Sequence, residues 1–362
     1  MNLNKTLGRV ATTLVAGAML TALAMPAYAT TGVTGDGETA VSSFTITKHL
    51  TKEQKTMTPN VSFSFTVDEA TNVEETHNGV PVSDGIDGGV TVNDDNETAD
   101  FAPGDTLNSA TDLTDTVTFD VNVGLFPLAG IYKYTITEND FTYDGITKDT
   151  NVLDLYVYIQ NGDNGLEVAY TELVDPDGGS EGKGLKTDSF TNDYDSNGAA
   201  LHDLVVYKVV SGNAANMSES FTFKVKIKGE TGEKYYVEIG TYKDGTFTAK
   251  PDKTSILSSG TDGEFTLGNG DAIKVYGLDG DDAYTVEELN DNTNGYTLKI
   301  DDTEDADGIT NGIISADKTI KYENAKNAST PTGIVMNVAP YVLLVVVAAA
   351  GCFVFLRKRR ED

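Results

Sequence analysis

The stretch Phe44-Thr45-Ile46-Thr47-Lys48 alternates apolar and polar residues, which is the pattern of a half-buried β-strand. Because residues i, i+2 and i+4 of a strand share one face, the amine of Lys48 lies on the same face as Phe44 and Ile46. That apolar face is the one expected to be buried. A charged amine in a protein core is costly unless it is paired or neutralised. The stretch therefore predicts a paired or reactive lysine inside a β-domain.

Five further polar residues lie on apolar strand faces in the same way, and their order repeats. Glu138 shares a face with Tyr134 and Ile136, and Asn192 follows Phe190 with the same spacing of two. The order Lys, Glu, Asn then recurs downstream on three more strand faces: Leu204, Val206 and Lys208; Tyr284, Val286 and Glu288; Ile320, Tyr322 and Asn324. The repeat predicts two domains, each with one buried Lys–Glu–Asn set.

Such a set can form an amide bond between its lysine and its asparagine. Burial lowers the pKa of a lysine and raises that of a glutamic acid, so the pair can exist as a neutral amine and a neutral acid. The amine can attack the asparagine amide while the acid polarises the amide and carries the proton that lets ammonia leave. Proximity makes a single turnover sufficient. The alternative is that each lysine ends its strand at the surface and extends to water.

These motifs resemble those of the backbone (major) pilins of Gram-positive, sortase-assembled pili. In that family the Lys lies on the first strand of a domain, the Glu follows a Tyr-x-x-x run, and the Asn ends a Phe-x-Asn on the last strand. The resemblance implies isopeptide bonds Lys48–Asn192 and Lys208–Asn324, assisted by Glu138 and Glu288. Two departures are Tyr322, in place of the usual Phe, and Glu287 beside Glu288, where the alternation of faces favours Glu288.

The pattern of short strands predicts an all-β chain of two tandem β-sandwich domains. The resemblance to the pilins implies that these domains are immunoglobulin-like and that each has one such isopeptide bond. Segments rich in Thr, Val, Tyr and Phe alternate with Gly/Asp/Asn clusters, and no long helical periodicity competes. The predicted strands are 61–67, 116–123, 131–137 and 153–160, then 205–210, 221–227, 235–242, 263–267, 272–276, 284–288 and 319–322. The predicted organisation is a flexible leader 30–40, domains 41–195 and 201–326, and a linker 196–200.

The two ends of the chain carry export and sorting signals. Lys5 and Arg9 precede an apolar run and Ala27-Tyr28-Ala29, so residues 1–29 are predicted to be a signal peptide. Residues 327–362 combine Ser329-Thr330-Pro331-Thr332-Gly333, an apolar segment at 338–356 and a basic tail. The apolar segment is long enough to predict a transmembrane span with the tail in the cytoplasm. An ordinary single-pass anchor is the alternative interpretation of this end.

The pentapeptide resembles the Leu-Pro-x-Thr-Gly sortase signal in its shifted pilin form, although no Leu precedes the proline. The resemblance implies cleavage between Thr332 and Gly333 and transfer of Thr332 to a lysine of the next subunit. In the family this acceptor lies shortly before the Asn-bearing strand of the first domain. Lys186 is favoured here, with Lys183 as the alternative.

Composition excludes several classes of function. The formal net charge is −30, which disfavours binding to nucleic acid or anionic membranes. The single cysteine, Cys352, lies in the tail that sorting would remove, so the mature chain has no disulfide. The acidic runs 93–97 and 279–282 are expected to be solvated turns. The stretch starting at Asp193 resembles the start of an EF-hand calcium-binding loop, but its twelfth position, where that loop requires Glu, is Leu204.

No metal, cofactor or conventional enzyme is therefore predicted, beyond the self-formed bonds. The predicted function is a structural subunit of a covalently polymerised surface pilus that is anchored to the cell wall. Its predicted partners are sortase, identical subunits, accessory pilins and peptidoglycan. The alternative is a wall-anchored adhesin or stalk protein that is never polymerised.

Overall fold

The computed structural model describes residues 30–31, 41–178, 184–195, 200–289, 294–305, 307–328 and 332–358. Contacts between Cα atoms divide the chain into two compact units. The N-terminal unit comprises residues 1–53, 61–102 and 110–196, and the C-terminal unit comprises 54–60, 103–109 and 197–362. Two short segments from the first half of the chain thus belong to the second unit, which the sequence did not indicate. The signal peptide predicted at 1–29 lies outside the described residues.

The described part of the N-terminal unit is built from strands β1 to β14. Their bounds are β1 Thr30–Thr31, β2 Val41–Lys52, β3 Val61–Glu69, β4 Thr76–His77, β5 Val80–Ser83, β6 Val90–Val92, β7 Thr98–Phe101, β8 Asp112–Asn122, β9 Gly130–Glu138, β10 Ile146–Thr147, β11 Val152–Gly162, β12 Gly165–Asp175, β13 Leu185–Lys186 and β14 Ser189–Tyr194. Thr30 and Thr31, assigned above to a flexible leader, pair with β2 instead.

These strands form the two sheets of a sandwich. One has the order β10-β14-β2-β8-β6, with β1 also on β2, and the other has the order β13-β12-β11-β9-β3-β7, with β5 on β9 and β4 on β5. Alternate residues of the central strands point inward, so the core contains Ile46 and Val117 from the first sheet and Ile136 and Leu155 from the second, all fully buried. This packing is the one that period-2 alternation predicts for a sheet with one solvated face.

The described part of the C-terminal unit repeats the architecture with strands β15 to β25. Their bounds are β15 His202–Ser211, β16 Ser220–Lys228, β17 Lys234–Lys243, β18 Thr246–Ser258, β19 Gly263–Gly268, β20 Asp271–Leu278, β21 Ala283–Glu288, β22 Thr297–Ile300, β23 Thr303–Glu304, β24 Ile309–Ile313 and β25 Lys318–Ala325. The sheet orders are β18-β17-β20-β15-β25-β22-β23 and β19-β16-β21-β24. One apolar cluster, drawn from both sheets, fills the space between them.

The all-β, immunoglobulin-like fold class predicted from the sequence is confirmed. Two long strands, β12 and β18, were not predicted. Strand β18 lies at the edge of its sheet, is mostly exposed and contains Pro251, so it needs no apolar alternation. One predicted solvated turn is wrong in part: Asp279 and Asp282 are 1% and 0% exposed, although Asp281 between them is exposed.

The chain ends in one described helix, α1 Thr332–Lys358. Among the residues that the structure describes, no helix meets the length and hydropathy needed to cross a membrane. The transmembrane span predicted at 338–356 is therefore not supported.

Candidate functional site

Lys48 and Asn192 are brought together by two neighbouring parallel strands. Strand β2 carries Lys48, and β14 pairs with it in a register that places Phe190 opposite Lys48 and Asn192 opposite Leu50. Asn192 is thus two residues farther along the neighbouring strand. Since the side-chain period of a strand is two, Lys48 and Asn192 point to the same face of the sheet. Both side chains are 0% exposed.

The third member of the set comes from the facing sheet. Glu138 ends β9 and lies opposite Phe65 of β3. Its Oε2 accepts a hydrogen bond from Lys48 Nζ at 3.0 Å, and its Oε1 accepts one from Asn192 Nδ2 at 2.7 Å. One buried carboxylate therefore contacts both the amine that would attack and the amide nitrogen that would leave.

The C-terminal unit builds the same arrangement from a different sequence. On the parallel strands β15 and β25, Lys208 lies opposite Tyr322, and Asn324 is again two residues farther along. Glu288 of β21, in the facing sheet, lies opposite Phe223 as Glu138 lies opposite Phe65. Its Oε2 accepts from Lys208 Nζ at 2.8 Å and its Oε1 accepts from Asn324 Nδ2 at 2.6 Å.

Aromatic rings keep water away from both amines. Lys48 Nζ lies 4.9 Å from the centroid of the Phe63 ring, and Lys208 Nζ lies 4.1 Å from that of Phe221. Burial lowers the pKa of Lys48 despite the neighbouring carboxylate, and lowers that of Lys208 to about 8. Burial likewise raises the pKa of Glu138, against the opposing effect of Lys48. Both shifts favour the neutral amine and the neutral acid that amide formation requires.

Asp149 is a site residue that sequence reasoning missed. Its backbone N–H donates to Asn192 Oδ1 at 2.6 Å, and its carboxylate accepts from the N–H groups of Thr191 and Asn151. The N–H fixes the orientation of the amide, with oxygen toward Asp149 and nitrogen toward Glu138. It also lies where negative charge would develop on that oxygen during attack. A backbone donor in a loop leaves no side-chain pattern by which sequence could have found it.

The C-terminal site differs in the contacts of its asparagine oxygen. Asn324 Oδ1 is buried and has no hydrogen-bond partner among the described residues. Its amide is oriented by Glu288 and by packing, without the backbone donor that Asp149 provides in the N-terminal unit. The two sites thus share the proton-carrying carboxylate and differ in how the amide oxygen is held.

The choice between adjacent Glu287 and Glu288 depends on the alternation of faces along β21. Glu288 is 1% exposed and contacts Lys208, whereas Glu287 is only half-buried and lies opposite Lys224 of β16. The residue favoured from the sequence is the one that meets the lysine.

The residues predicted to act in polymerisation are the acceptor Lys186, with Lys183 as the alternative, and the cleavage pair Thr332 and Gly333. Lys186 lies on β13, its side chain is 59% exposed, and its Nζ is 2.6 Å from the buried Glu172 carboxylate. The alternative acceptor, Lys183, lies outside the described residues. Thr332 and Gly333, the predicted cleavage pair, are the first residues of α1.

Comparison with known families matches both units. Residues 44–195 match the Spy0128-like isopeptide-containing domain, and residues 202–327 match a domain of unknown function, DUF7601. The chain is 28% identical over 357 residues to a pilin from Streptococcus pyogenes serotype M1. The alignment covers 94% of this chain and 98% of that protein.

Solved structures show the same fold. The crystal structure of the major pilin from Streptococcus pyogenes superposes with a TM-score of 0.55 at 23% identity, covering 79% of this chain and 99% of that one. The major pilin T3.2 from the same species gives a TM-score of 0.51 at 20% identity, with the same coverage. Residues 44–195 thus match the Spy0128-like isopeptide-containing domain, and the chain as a whole is similar in sequence to a Streptococcus pyogenes pilin and in fold to major pilins of that species.

Proposed function

We propose that this chain is the shaft subunit of a sortase-polymerised pilus, with one self-formed Lys–Asn isopeptide bond in each unit. One observation carries the proposal: in both units a buried carboxylate bridges a lysine Nζ and an asparagine Nδ2. The relatives support a structural pilus subunit. The covalent chemistry and the polymerisation are the proposal.

The intramolecular reaction exchanges bonds and protons among three side chains, and in the N-terminal unit a backbone N–H assists it. The neutral Nζ of Lys48 attacks Cγ of Asn192, and the N–H of Asp149 stabilises the charge that develops on Oδ1. Glu138 accepts the proton from Nζ at one oxygen and delivers a proton to Nδ2 at the other. The Nζ–Cγ bond forms, the Cγ–Nδ2 bond breaks, and ammonia leaves. Lys208, Glu288 and Asn324 exchange the same bonds and protons, with no hydrogen-bond donor to Asn324 Oδ1 among the described residues.

These bonds would suit a fibre under tension. In the C-terminal unit the two bond partners lie on the first and last strands, β15 and β25, which are parallel neighbours. A force that pulls the ends of the unit apart would shear this strand pair. A covalent bond across the pair would carry the force before the backbone hydrogen bonds of the sheet are loaded.

Polymerisation would join Thr332 of one subunit to Lys186 of the next. In this reaction the sortase thioester on the Thr332 carbonyl is attacked by Nζ of Lys186, and the enzyme thiol leaves. Lys186 is exposed enough to reach a second protein, and the Glu172 carboxylate beside it can accept the proton that the attacking amine loses. Export through residues 1–29 and attachment of the last subunit to peptidoglycan complete the proposed pathway. Accessory pilins are further proposed partners.

The test co-expresses the chain with a pilin sortase and examines cell-wall extracts by denaturing electrophoresis. We expect a high-mass ladder that is lost in Lys186→Arg, which keeps the positive charge but lacks the primary amine. Lys226→Arg is the matched control, because Lys226 is also partly exposed and paired with a carboxylate. A single monomer band from the unmodified chain would favour the wall-anchored adhesin. A ladder that persists in Lys186→Arg and in its double change with Lys183→Arg would place the acceptor elsewhere.

A further inference from the structure

Two turns of the C-terminal unit bring together four carboxylates, here called the acidic end cluster: Glu230, which is half-buried, and Glu233, Asp279 and Asp282, which are buried. The first two lie in the connection between β16 and β17, and the other two lie between β20 and β21. Glu233, Asp279 and Asp282 are 3%, 1% and 0% exposed. Four acids in such a place are unexpected in a chain whose net charge is already −30, because each buried charge is costly.

The cluster is short of hydrogen-bond donors. Both carboxylate oxygens of Asp279, and Oε2 of Glu230, are buried and have no hydrogen-bond partner among the described residues. Asp282 accepts the backbone N–H of Asp279, and Glu233 accepts that of Glu230. An unpaired buried carboxylate is among the most unfavourable groups in a protein core, so something must compensate Asp279.

The contacts of Tyr235 also show that the cluster has too few protons for its acceptors. Its hydroxyl oxygen is 2.6 Å from Glu233 Oε2 and 2.6 Å from Asp282 Oδ1. The single hydroxyl proton can satisfy one of these acceptors, so the other contact is repulsive unless a second proton or a cation is present. The backbone of Gly229 closes this side of the cluster, where a Cβ atom would collide with both carboxylates and with the tyrosine oxygen. The backbone at position 229 thus packs directly against these oxygens and leaves no room for a side chain.

We propose that Glu230, Glu233 and Asp279 bind one calcium ion. One carboxylate oxygen from each of these residues lies within 4.8 Å of those of the other two. Two ligands of one calcium ion, each at about 2.4 Å, can be at most about that far apart. The ligands are all oxygens, which hard cations prefer, and no nitrogen or sulfur that would favour zinc is among them. Magnesium fits less well, because it demands shorter, near-octahedral bonds and retains its water.

The electrostatic surroundings of the ligands agree with the geometry. Burial and neighbouring carboxylates raise the pKa of Asp279 to about 9 and that of Glu233 to about 8. A divalent cation would neutralise the ligand charge and supply the partner that the Asp279 oxygens lack.

The test uses the full chain, freed of metal with a chelator and titrated with CaCl₂ or MgCl₂ in a calorimeter. We expect one calcium ion per chain and much weaker magnesium binding. Asp279→Asn should weaken calcium binding at least tenfold, while Asp244→Asn, which removes the same charge from an exposed hairpin turn of the same unit, should leave it unchanged. Terbium should show luminescence sensitised through Tyr235, and calcium should displace it.

Thermal unfolding keeps the test independent of any folding defect in the variant. Asp279→Asn removes repulsion, so without calcium it should unfold at the same temperature as the unmodified chain or at a higher one. Calcium should then raise the midpoint of the unmodified chain and of Asp244→Asn, but not that of Asp279→Asn. Absence of one-to-one binding up to about 10 mM calcium, roughly ten times the dissociation constant of the weakest extracellular sites, would overturn the proposal. Equal affinities of the two variants would overturn it too.

Discussion

The change Glu138→Gln tests the proposed chemistry of the N-terminal site. Glutamine has nearly the size of glutamic acid and can still contact Asn192, but it cannot accept the lysine proton and deliver it to the leaving nitrogen. We expect the variant to fold and to make only the C-terminal bond. The unmodified chain should weigh two ammonia equivalents less than its sequence mass, and Glu138→Gln only one less.

The loss of the bond should also lower stability by a predictable amount. The bond closes the chain from Lys48 to Asn192. For a cross-link that closes a loop of that length, the chain-entropy relation gives about 5 kcal/mol of stabilisation. In a unit of about 150 residues, each kcal/mol corresponds to roughly 2–4 °C, so the unfolding midpoint should fall by roughly 10–20 °C. The buried Lys48 amine, left without its carboxylate partner, adds to this loss.

Calorimetry with two controls separates these contributions. Lys48→Met combined with Glu138→Gln cannot form the bond and leaves neither a buried amine nor a buried acid without its partner, so the midpoint of this double variant reports the cross-link. Glu97→Gln changes the same functional group at an exposed position and should behave as the unmodified chain. If the unmodified chain carries its full sequence mass, the reasoning is refuted for both units. If Glu138→Gln still loses two ammonia equivalents, the proton-carrying role of Glu138 is refuted.

Three further changes test the remaining site residues. Glu288→Gln should leave the C-terminal bond unmade whereas Glu287→Gln should not, as peptide mapping by mass spectrometry would show. Asp149→Pro, which removes the N–H that polarises the amide, should slow formation of the N-terminal bond about 100-fold in a refolding time course and leave the C-terminal rate unchanged. In Asn324→Ala the amine of Lys208 stays free, with a folded pKa of about 8 against 10.5 when exposed. Between these two pH values the unfolded state binds more protons than the folded state, so the free energy of unfolding of the unit should increase by about 3 kcal/mol as pH rises from 8 to 10.5. This dependence on pH should be absent when Lys208→Met is added.

The sequence by itself determined the fold class and the inward direction of the reactive side chains. The direction of a side chain in a strand depends on a period of two, which is a local property that neighbouring residues reveal. Lys48 follows Phe44 and Ile46 on one face, and Glu138 follows Tyr134 and Ile136, so their burial could be predicted before any strand was paired.

Only the tertiary structure decided which of these side chains meet. The parallel pairing of β2 with β14, the stagger of two residues between Lys48 and Asn192, and the approach of Glu138 from the facing sheet all depend on contacts between residues far apart in sequence. The N–H of Asp149 and the burial of Asp279 depend on how loops fold over the ends of strands, where no periodicity applies. Local alternation fixes which way a side chain points, whereas its partner depends on pairing register and loop packing, which the local pattern does not encode.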